Sequence, residues 1–527
     1  MEIDYSAAHQ LDLAAARHPN RTSLIAPTMH GYQTWTVARA NHDARALAAL
    51  FCGTQRPQIA TGFNPLRDET VKPGDTVMII AHNSPWHMMI YAACARIGAV
   101  VCPVSWRLTV PEIAKIASIA RPSLVITEAG TRALALAAAP YAAQLRLEDL
   151  PELVAKTNTT DIPPAQHISA DTPSALLFTS GSSGFPKGVR LTAGQMWWAW
   201  QNFRVGFEYH TGMVNMAAAP FSHVGGFNGT TNDTFIHGGT LVVEPDFRTE
   251  QVLKDLQYFR VNIMFGVPTM YQALIEHPAW DSAILQNFTR PLVGGAPPST
   301  ELITRLRNRG LNPINVYGLT ETGGAGICAS PDITNDHPQS VGQPFPYVEA
   351  RLVDADNPNP HATEVPDGTE GMLLLRGPGI ITGYHESEGN TERRITDGWL
   401  ITGDIAARNN GIYNIIGRAD DTIISGGENI HPTEIENALL DLPEVADCIV
   451  VGTPDRYWGE IVTALIVPED PDFAPTLENI QTGLKNRVAR FKLPRRTITV
   501  DKIPLNSNGK PDRQAAKKLA GIKTSRH

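Results

Sequence analysis

The chain has 527 residues, 42% of them hydrophobic and 18% charged, with 44 Lys+Arg against 53 Asp+Glu for a net charge of −9. That length exceeds one compact domain, and the composition excludes a largely disordered, collagen-like or coiled-coil protein. The mildly acidic balance excludes bulk polyanion binding, so no nucleic-acid partner is expected.

Taken in order, the first residues, MEIDYSAAHQ, lack the basic-then-apolar profile of a secretory leader. Residues 50–71 mix polar residues with Pro and Gly without periodicity and read as a surface loop. VKPGDTVMIIA (71–81) is a turn followed by an apolar run of strand length, and SPWHMMIYAACARIGAV then has helical spacing with Gly98 near its end. VVCPV follows as a short buried strand. Thr109-Val110-Pro111-Glu112 fits a capping box with Pro just inside the helix, which ends before Arg121-Pro122; residues 124–127 give the next strand. This alternation returns in GTLVVE, RTEQVLKDLQYF and NIMFGV, so it predicts βαβ units and a mainly parallel sheet. DADNPNPHATEVPDGTEG (354–371) is a turn-rich hairpin region. The last hundred residues carry a helix capped by Thr433-Glu434-Ile435-Glu436, two strands (DCIVVG and IVTALIVP), another helix and a basic end. A domain boundary is expected at 418–421.

Apolar runs such as 97–104 fall far short of the roughly 20 residues that cross a bilayer, so no membrane span and a cytoplasmic location are expected. The five cysteines (Cys52, Cys94, Cys102, Cys328, Cys448) form no CxxC pair and read as free thiols rather than disulfides or a zinc site.

Chemistry gathers first at FTSGSSGFPKG (178–188), after the apolar strand SALLF. Gly181, Gly184 and Gly188 permit unusual backbone geometry; Thr179, Ser180, Ser182 and Ser183 offer hydroxyls, and Lys187 adds a positive charge. Many donors with little bulk suit a polyphosphate. It is not a Walker loop, because Pro186 rather than Gly precedes Lys187. Alone the segment supports two readings, a phosphate cradle and a Gly/Ser surface turn.

Further segments decide between them: NVYGLTET at 315–322, LITGD at 400–404, GRADDTIISGGENIHPTEIE at 417–436, and PLNSNGK ending at Lys510. In this order and spacing, over nearly the whole chain, the sequence resembles the adenylate-forming superfamily of acyl- and aryl-CoA synthetases, luciferases and peptide-synthetase adenylation domains. The block around Asp420 looks most like that of aryl-CoA and medium-chain acyl-CoA ligases. The resemblance implies an α/β fold. A large domain over 1–417 has mainly parallel sheets flanked by helices, plus a β-barrel-like subdomain. A small mobile α+β domain covers 418–527. It implies ATP-dependent activation of a carboxylic acid to an acyl-adenylate, then transfer to CoA, with ATP, Mg²⁺, CoA and a small-molecule acid as partners. The oligomeric state, monomer or homodimer, is left open.

The same resemblance implies residue roles. Lys510 bridges the acyl carboxylate and the α-phosphate, although Asn508 and Gly509 put it on what the sequence alone would call a solvated turn. Glu321 is the Mg²⁺ ligand with Thr179 as helper, since a hard cation on phosphate wants oxygen. Tyr317 stacks on adenine opposite Gly294, Gly295 and Ala296, and Gly318 and Thr320 belong to its motif. Asp404 accepts from the ribose, and Arg418 approaches the ribose or phosphate. His223, in APFSHVGGFN, orients the acyl carboxylate; a lone histidine among apolar residues is otherwise structural.

One site must run two reactions, and Lys510 serves only the first. Asp420 matches the hinge that would swing the small domain and bring Gly426 and Gly427 over the pantetheine arm. Trp458 would lie beside that arm, with Lys492 and Arg495 on the CoA phosphates; Leu493 stands where relatives often carry another cation. The helix opened by Thr192 and Gln195 would turn Asn202 toward the acyl group, with Gly225, Phe227 and Asn228 from the His223 motif. Two asparagines suit a ring bearing a hydroxyl or amino group, whereas Gly225, Gly226, Gly323 and Gly324 equally permit a longer chain. Two other functions compete. One is adenylation with a non-CoA acceptor: a carrier-protein thiol, an amine, or an unusual acid such as nitrite. The other is a nucleotide-binding homologue without turnover.

Overall fold

The computed structural model describes residues 3–54, 70–157, 165–180, 186–386, 388–425, 428–485, 487–506 and 510–521. Much of the surface loop expected over 50–71 therefore lies outside the described residues; the helix Val37–Phe51 runs into its start.

A six-stranded sheet runs in the order Ala143–Arg146, Leu124–Thr127, Thr76–Ile80, Val100–Val104, Pro173–Ser180, Pro186–Thr192. All neighbours are parallel except the last pair, which form an antiparallel hairpin. Its first strands and helices fall where the sequence puts them. Thr109 and Glu112 close a capping box on the helix Val110–Ala120, with Pro111 in its first turn. The helix Pro85–Ile97 starts at Ser84, whose hydroxyl accepts from Trp86 N, and stops at Gly98, whose φ of 71° is the left-handed conformation a helix end requires. Its residues are buried all round, which is why the segment reads as almost continuously apolar. The exceptions are dealt with individually: Arg96 pairs with Asp12 at 2.6 Å, and burial pushes the His87 imidazole down to about 4.

The second sheet has nine strands. Ile314–Tyr317, Arg290–Gly294, Ile263–Gly266, Val214–Ala217, Thr240–Val243 and Thr22–Thr28 form its parallel centre. Antiparallel strands close both edges. The largest core cluster joins residues of both sheets with the helices between them, anchored by Trp35, Tyr91, Trp200, Phe203 and Phe227. Because neighbouring parallel strands end on the same side, the loops after Gly294 and Tyr317 open onto one crevice.

The subdomain expected to be barrel-like is a five-stranded antiparallel sheet. Its strands Glu349–Val353 and Glu370–Arg376 form the hairpin expected around 354–371. The long strand Trp399–Asn409 pairs with Ile412–Arg418 and sets Asp404 opposite Arg418. The strand pairing then passes to a fourth sheet, which begins at Ile423 and contains the long antiparallel pair Val445–Asp455 and Gly459–Pro468. This sheet has its own apolar core of Ile423, Ile435, Leu439, Val450, Val462 and Ile480. The helix expected to be capped by Thr433 and Glu436 instead begins at Pro432, with His431 in the cap position and no side-chain cap bond. Proline presets the first helical turn, so the helix starts earlier. Glu436 is drawn to Arg513 at 2.5 Å.

All five cysteines are free, and four are buried. Among the described residues, no helix is long and apolar enough to cross a membrane.

Candidate active site

The hairpin Pro173–Ser180 and Pro186–Thr192 sets Thr179 directly opposite Lys187. The connecting residues Gly181, Ser182, Ser183 and Gly184 lie outside the described residues. So do Gly426, Gly427, Asn508 and Gly509. Thr179 is half-buried, and Lys187 Nζ lies 6.0 Å from the centre of the Tyr384 ring. Gly188 leaves its neighbours little room, since a Cβ there would meet Leu176 and His385 at 3.2 Å.

Across the crevice, Gly294 ends its strand so close to the next one that a Cβ would stand 2.7 Å from Val316 O. Gly295 turns with φ 85°, and Ala296 follows, half-buried. Tyr317 ends the neighbouring strand; Gly318 packs on the backbone of Gly324, and a short turn, Thr320–Thr322, carries Glu321. Tyr317 donates to Asp404 Oδ2 at 2.5 Å, while Arg418 Nε lies 2.7 Å from Asp404 Oδ1. Asp404 is held from behind as well: its N–H donates to Thr402 Oγ1 at 3.0 Å. Burial raises the Asp404 pKa, Arg418 and Tyr317 oppose that shift, and the charge of Glu321 reinforces it. An aromatic face, a buried acceptor and a guanidinium thus share one short stretch of wall.

Lys510 reaches this wall from the other domain. A methyl on Gly295 would sit 3.9 Å from Lys510 Nζ. Its N–H donates to Asn506 Oδ1 at 3.1 Å. The residue as a whole is exposed, but its ammonium end is crowded by protein. That crowding lowers its pKa, and repulsion from Arg418 lowers it further, against the attraction of Asp404.

Glu321 is gripped twice by one segment. Its backbone carbonyl accepts from Ile381 N at 3.0 Å, and its Oε1 accepts from Tyr384 Oη at 2.7 Å. Among the described residues no cluster of three His, Cys, Asp or Glu side chains forms that could hold a metal by itself. One carboxylate and the Thr179 hydroxyl leave most positions to phosphate oxygens and water, an oxygen donor set that fits Mg²⁺ arriving with a nucleotide.

His223 precedes the one-turn helix Val224–Phe227, its N–H donating to Pro220 O at 3.1 Å. The acyl-side residues are more committed than their sequence pattern indicates. Asn202 is buried and its Oδ1 accepts from Tyr347 N at 3.0 Å. Asn228 accepts from Trp200 Nε1 at 3.0 Å and donates to Gly323 O at 2.7 Å. Phe227 packs edge-on to Tyr91 in the core. The glycines are closely packed as well. A Cβ on Gly225 would meet Phe265, on Gly226 the carbonyl of Pro220, on Gly323 Ala199, and on Gly324 Phe203. Phe265, which the sequence did not single out, lies across both Gly225 and Gly294. Only the spacing of NIMFGV into the crevice end of a parallel strand hinted at it.

At the small domain, the Arg495 guanidinium lies 4.1 Å over the Trp458 ring, and Lys492 pairs with Glu434 at 2.6 Å. Leu493 packs against the small domain's core. Asp420 sits in the short turn Ala419–Asp421, 3.7 Å from Arg394.

The AMP-binding enzyme family matches residues 11–385, and the AMP-binding enzyme C-terminal domain matches 434–510. A feruloyl-CoA synthase of Amycolatopsis sp is 34% identical over 491 residues, spanning 91% of this chain and 97% of that protein. An indoleacetate–CoA ligase of Aromatoleum aromaticum is 30% identical over 460 residues, spanning 85% and 89%. Among solved structures, an o-succinylbenzoate CoA synthetase from Bacillus subtilis, in complex with its acyl-adenylate intermediate, superposes with a TM-score of 0.83 over 96% of this chain and 97% of that one. At 24% identity this last likeness speaks for the fold.

Proposed function

The chain belongs to the AMP-binding enzyme family, and from that premise we propose that it is an ATP-dependent acid–CoA ligase acting on a compact, aromatic carboxylic acid. A carboxylate oxygen of the acid attacks the α-phosphorus of ATP, the bond to the β-bridging oxygen breaks, and diphosphate leaves. The CoA thiolate then attacks the acyl carbon, the thioester forms, and AMP departs. Glu321 and Thr179 would hold Mg²⁺ arriving with the nucleotide, and a bound Mg²⁺ would supply positive charge against the repulsion of the incoming carboxylate.

The observation that carries this reading is the Lys510 ammonium beside Gly295, facing Asp404 and Arg418. An oriented cation there opposes the repulsion between two anions as they react. Tyr317 takes the adenine face, Asp404 the ribose hydroxyls, Arg418 the ribose or phosphate, and His223 orients the acid. Gly181, Ser182, Ser183, Gly184 and Lys187 hold the outer phosphates. The aromatic class is supported by the two curated relatives, whose names specify feruloyl and indoleacetate acids. Compactness is supported by Phe265 across Gly225 and Gly294, and by the protein groups packed on Gly226, Gly323 and Gly324. The small domain, 418–527, turns about Asp420 for the second step, withdrawing Lys510 and bringing Gly426, Gly427 and Trp458 to the pantetheine arm. Supply of ATP and CoA supports a cytoplasmic setting.

A non-CoA acceptor is favoured by one observation: Lys492 is taken by Glu434, and Leu493 faces the core, which leaves fewer cations for the CoA phosphates. A single assay decides. Purified protein is given ATP, Mg²⁺, CoA and a panel of aromatic acids, and diphosphate, AMP and acyl-CoA are measured. Diphosphate with thioester supports the ligase; diphosphate without thioester supports the other acceptor. No diphosphate with any acid overturns both.

A further inference from the structure

We propose that Tyr384 is a positioning residue that presents the Glu321 carboxylate to the metal–nucleotide complex and couples it to the phosphate-binding hairpin. The inference rests on the adenylating reading above. Tyr384 is almost fully buried, and its hydroxyl donates to Glu321 Oε1 at 2.7 Å across 63 residues of chain. A phenol, with its ordinary pKa of about 10, is a donor at neutral pH, and this one points at the carboxylate.

Its backbone is tied on the other side to the hairpin. Tyr384 bridges Val189 in antiparallel fashion, and the next residue, His385, donates from N to Gly188 O at 2.9 Å. Tyr384 N donates to Thr391 Oγ1 at 2.9 Å. Three residues earlier, Ile381 N holds the backbone carbonyl of Glu321. One short segment therefore fixes Glu321 at both its main chain and its side chain while standing on the strand that carries Lys187.

The ring itself faces Lys187 at 6.0 Å. The phosphate-binding cation and the metal-binding carboxylate both reach Tyr384, one at its face and one at its hydroxyl. The phenol satisfies one carboxylate oxygen with a neutral donor and leaves Oε2 for a cation, and its ring gives Lys187 a weak cation–π seat that a phosphate readily outbids. Losing one hydrogen bond to a charged group corresponds to about tenfold in an equilibrium constant, or somewhat more.

Tyr384→Phe keeps the ring and deletes only the donor. ATP binding is measured by calorimetry with Mg²⁺ and with EDTA, in the wild type, Tyr384→Phe, Glu321→Ala and the double variant, with thermal melting of each. The expected result is a Kd for ATP with Mg²⁺ raised roughly tenfold in Tyr384→Phe, unchanged binding in EDTA, and no further loss on adding Tyr384→Phe to Glu321→Ala. Unchanged Mg²⁺-dependent binding in Tyr384→Phe overturns the proposal. So does an equal loss with and without Mg²⁺, or a loss that persists in the Glu321→Ala background, since each marks a merely structural tyrosine. A wild type that binds no ATP in either condition would overturn the adenylating reading itself, a result distinct from all of these.

Discussion

Lys510 is one charge on an exposed residue, and its neighbours give it its meaning. Lys510→Ala should cut adenylate formation by at least about 10²-fold, the scale of one lost oriented charge, and spare thioester formation from pre-made adenylate. Equal loss in both half-reactions would refute that division of labour. Because crowding and Arg418 lower its pKa below the ordinary 10.5, the charged form is lost at lower pH than for a free lysine. Adenylation in the wild type should therefore fall on the alkaline side before pH 10.5, and the residual rate of Lys510→Ala should lack that limb. A second residue-scale effect lies away from the site. Glu244 is fully buried beside Asp255, and burial, with that neighbouring carboxylate second, raises its pKa, against the attraction of Arg248. The folded state then holds a proton that the unfolded chain gives up in the ordinary carboxylate range. This contribution to stability is present at low pH and drains away as pH climbs toward the raised value. Glu244→Gln should flatten the fall in melting temperature between mildly acidic and alkaline pH; parallel curves for variant and wild type would speak against it.

Elements show where local chemistry suffices. The capping boxes at Thr109–Glu112 and Thr192–Gln195 form as their spacing predicts, because each needs only residues three apart. Gly98 is also local: its left-handed φ of 71° ends a helix buried along its whole length. Gly98→Ala should cost about 1–2 kcal/mol, the strain of a Cβ in that region. The nearest atom, Gln166 Oε1 at 3.1 Å, is the end of a flexible side chain and can yield, and Pro73 Cβ at 3.4 Å is in ordinary contact. A lowered first thermal transition is the expected reading, and an unchanged one would mean that the backbone relaxes. Where an element's partners are distant, local reasoning slips. Thr433 and Glu436 have capping spacing, yet the helix begins at Pro432 and Glu436 pairs with Arg513, 77 residues away. Asn202 and Asn228 have the chemistry of a polar pocket wall, yet their amides bond Tyr347, Trp200 and Gly323.

At the scale of the whole molecule, the two proposed domains meet through Lys510 over Gly295 and through His431, whose Nε2 lies 3.2 Å from Glu370. Polar ties of this kind suit an interface that must open between half-reactions. Asp420→Pro, which locks φ in the connecting turn, should slow thioester formation more than adenylate formation in single-turnover measurements. An unaltered overall rate would count against rotation there. The sequence by itself determined the family and much of the order of strands and helices, and it put forward Lys510, Glu321, Tyr317, Asp404 and Arg418 as site residues, because hydrophobic period, caps and short motifs are written in neighbouring residues. Only the tertiary structure decided which side chains are spoken for. Lys492 is drawn to Glu434, the room left by Gly225 goes to Phe265, and Glu321 is held by Tyr384. Those contacts join residues tens of positions apart, and their energies depend on close packing that no local pattern encodes.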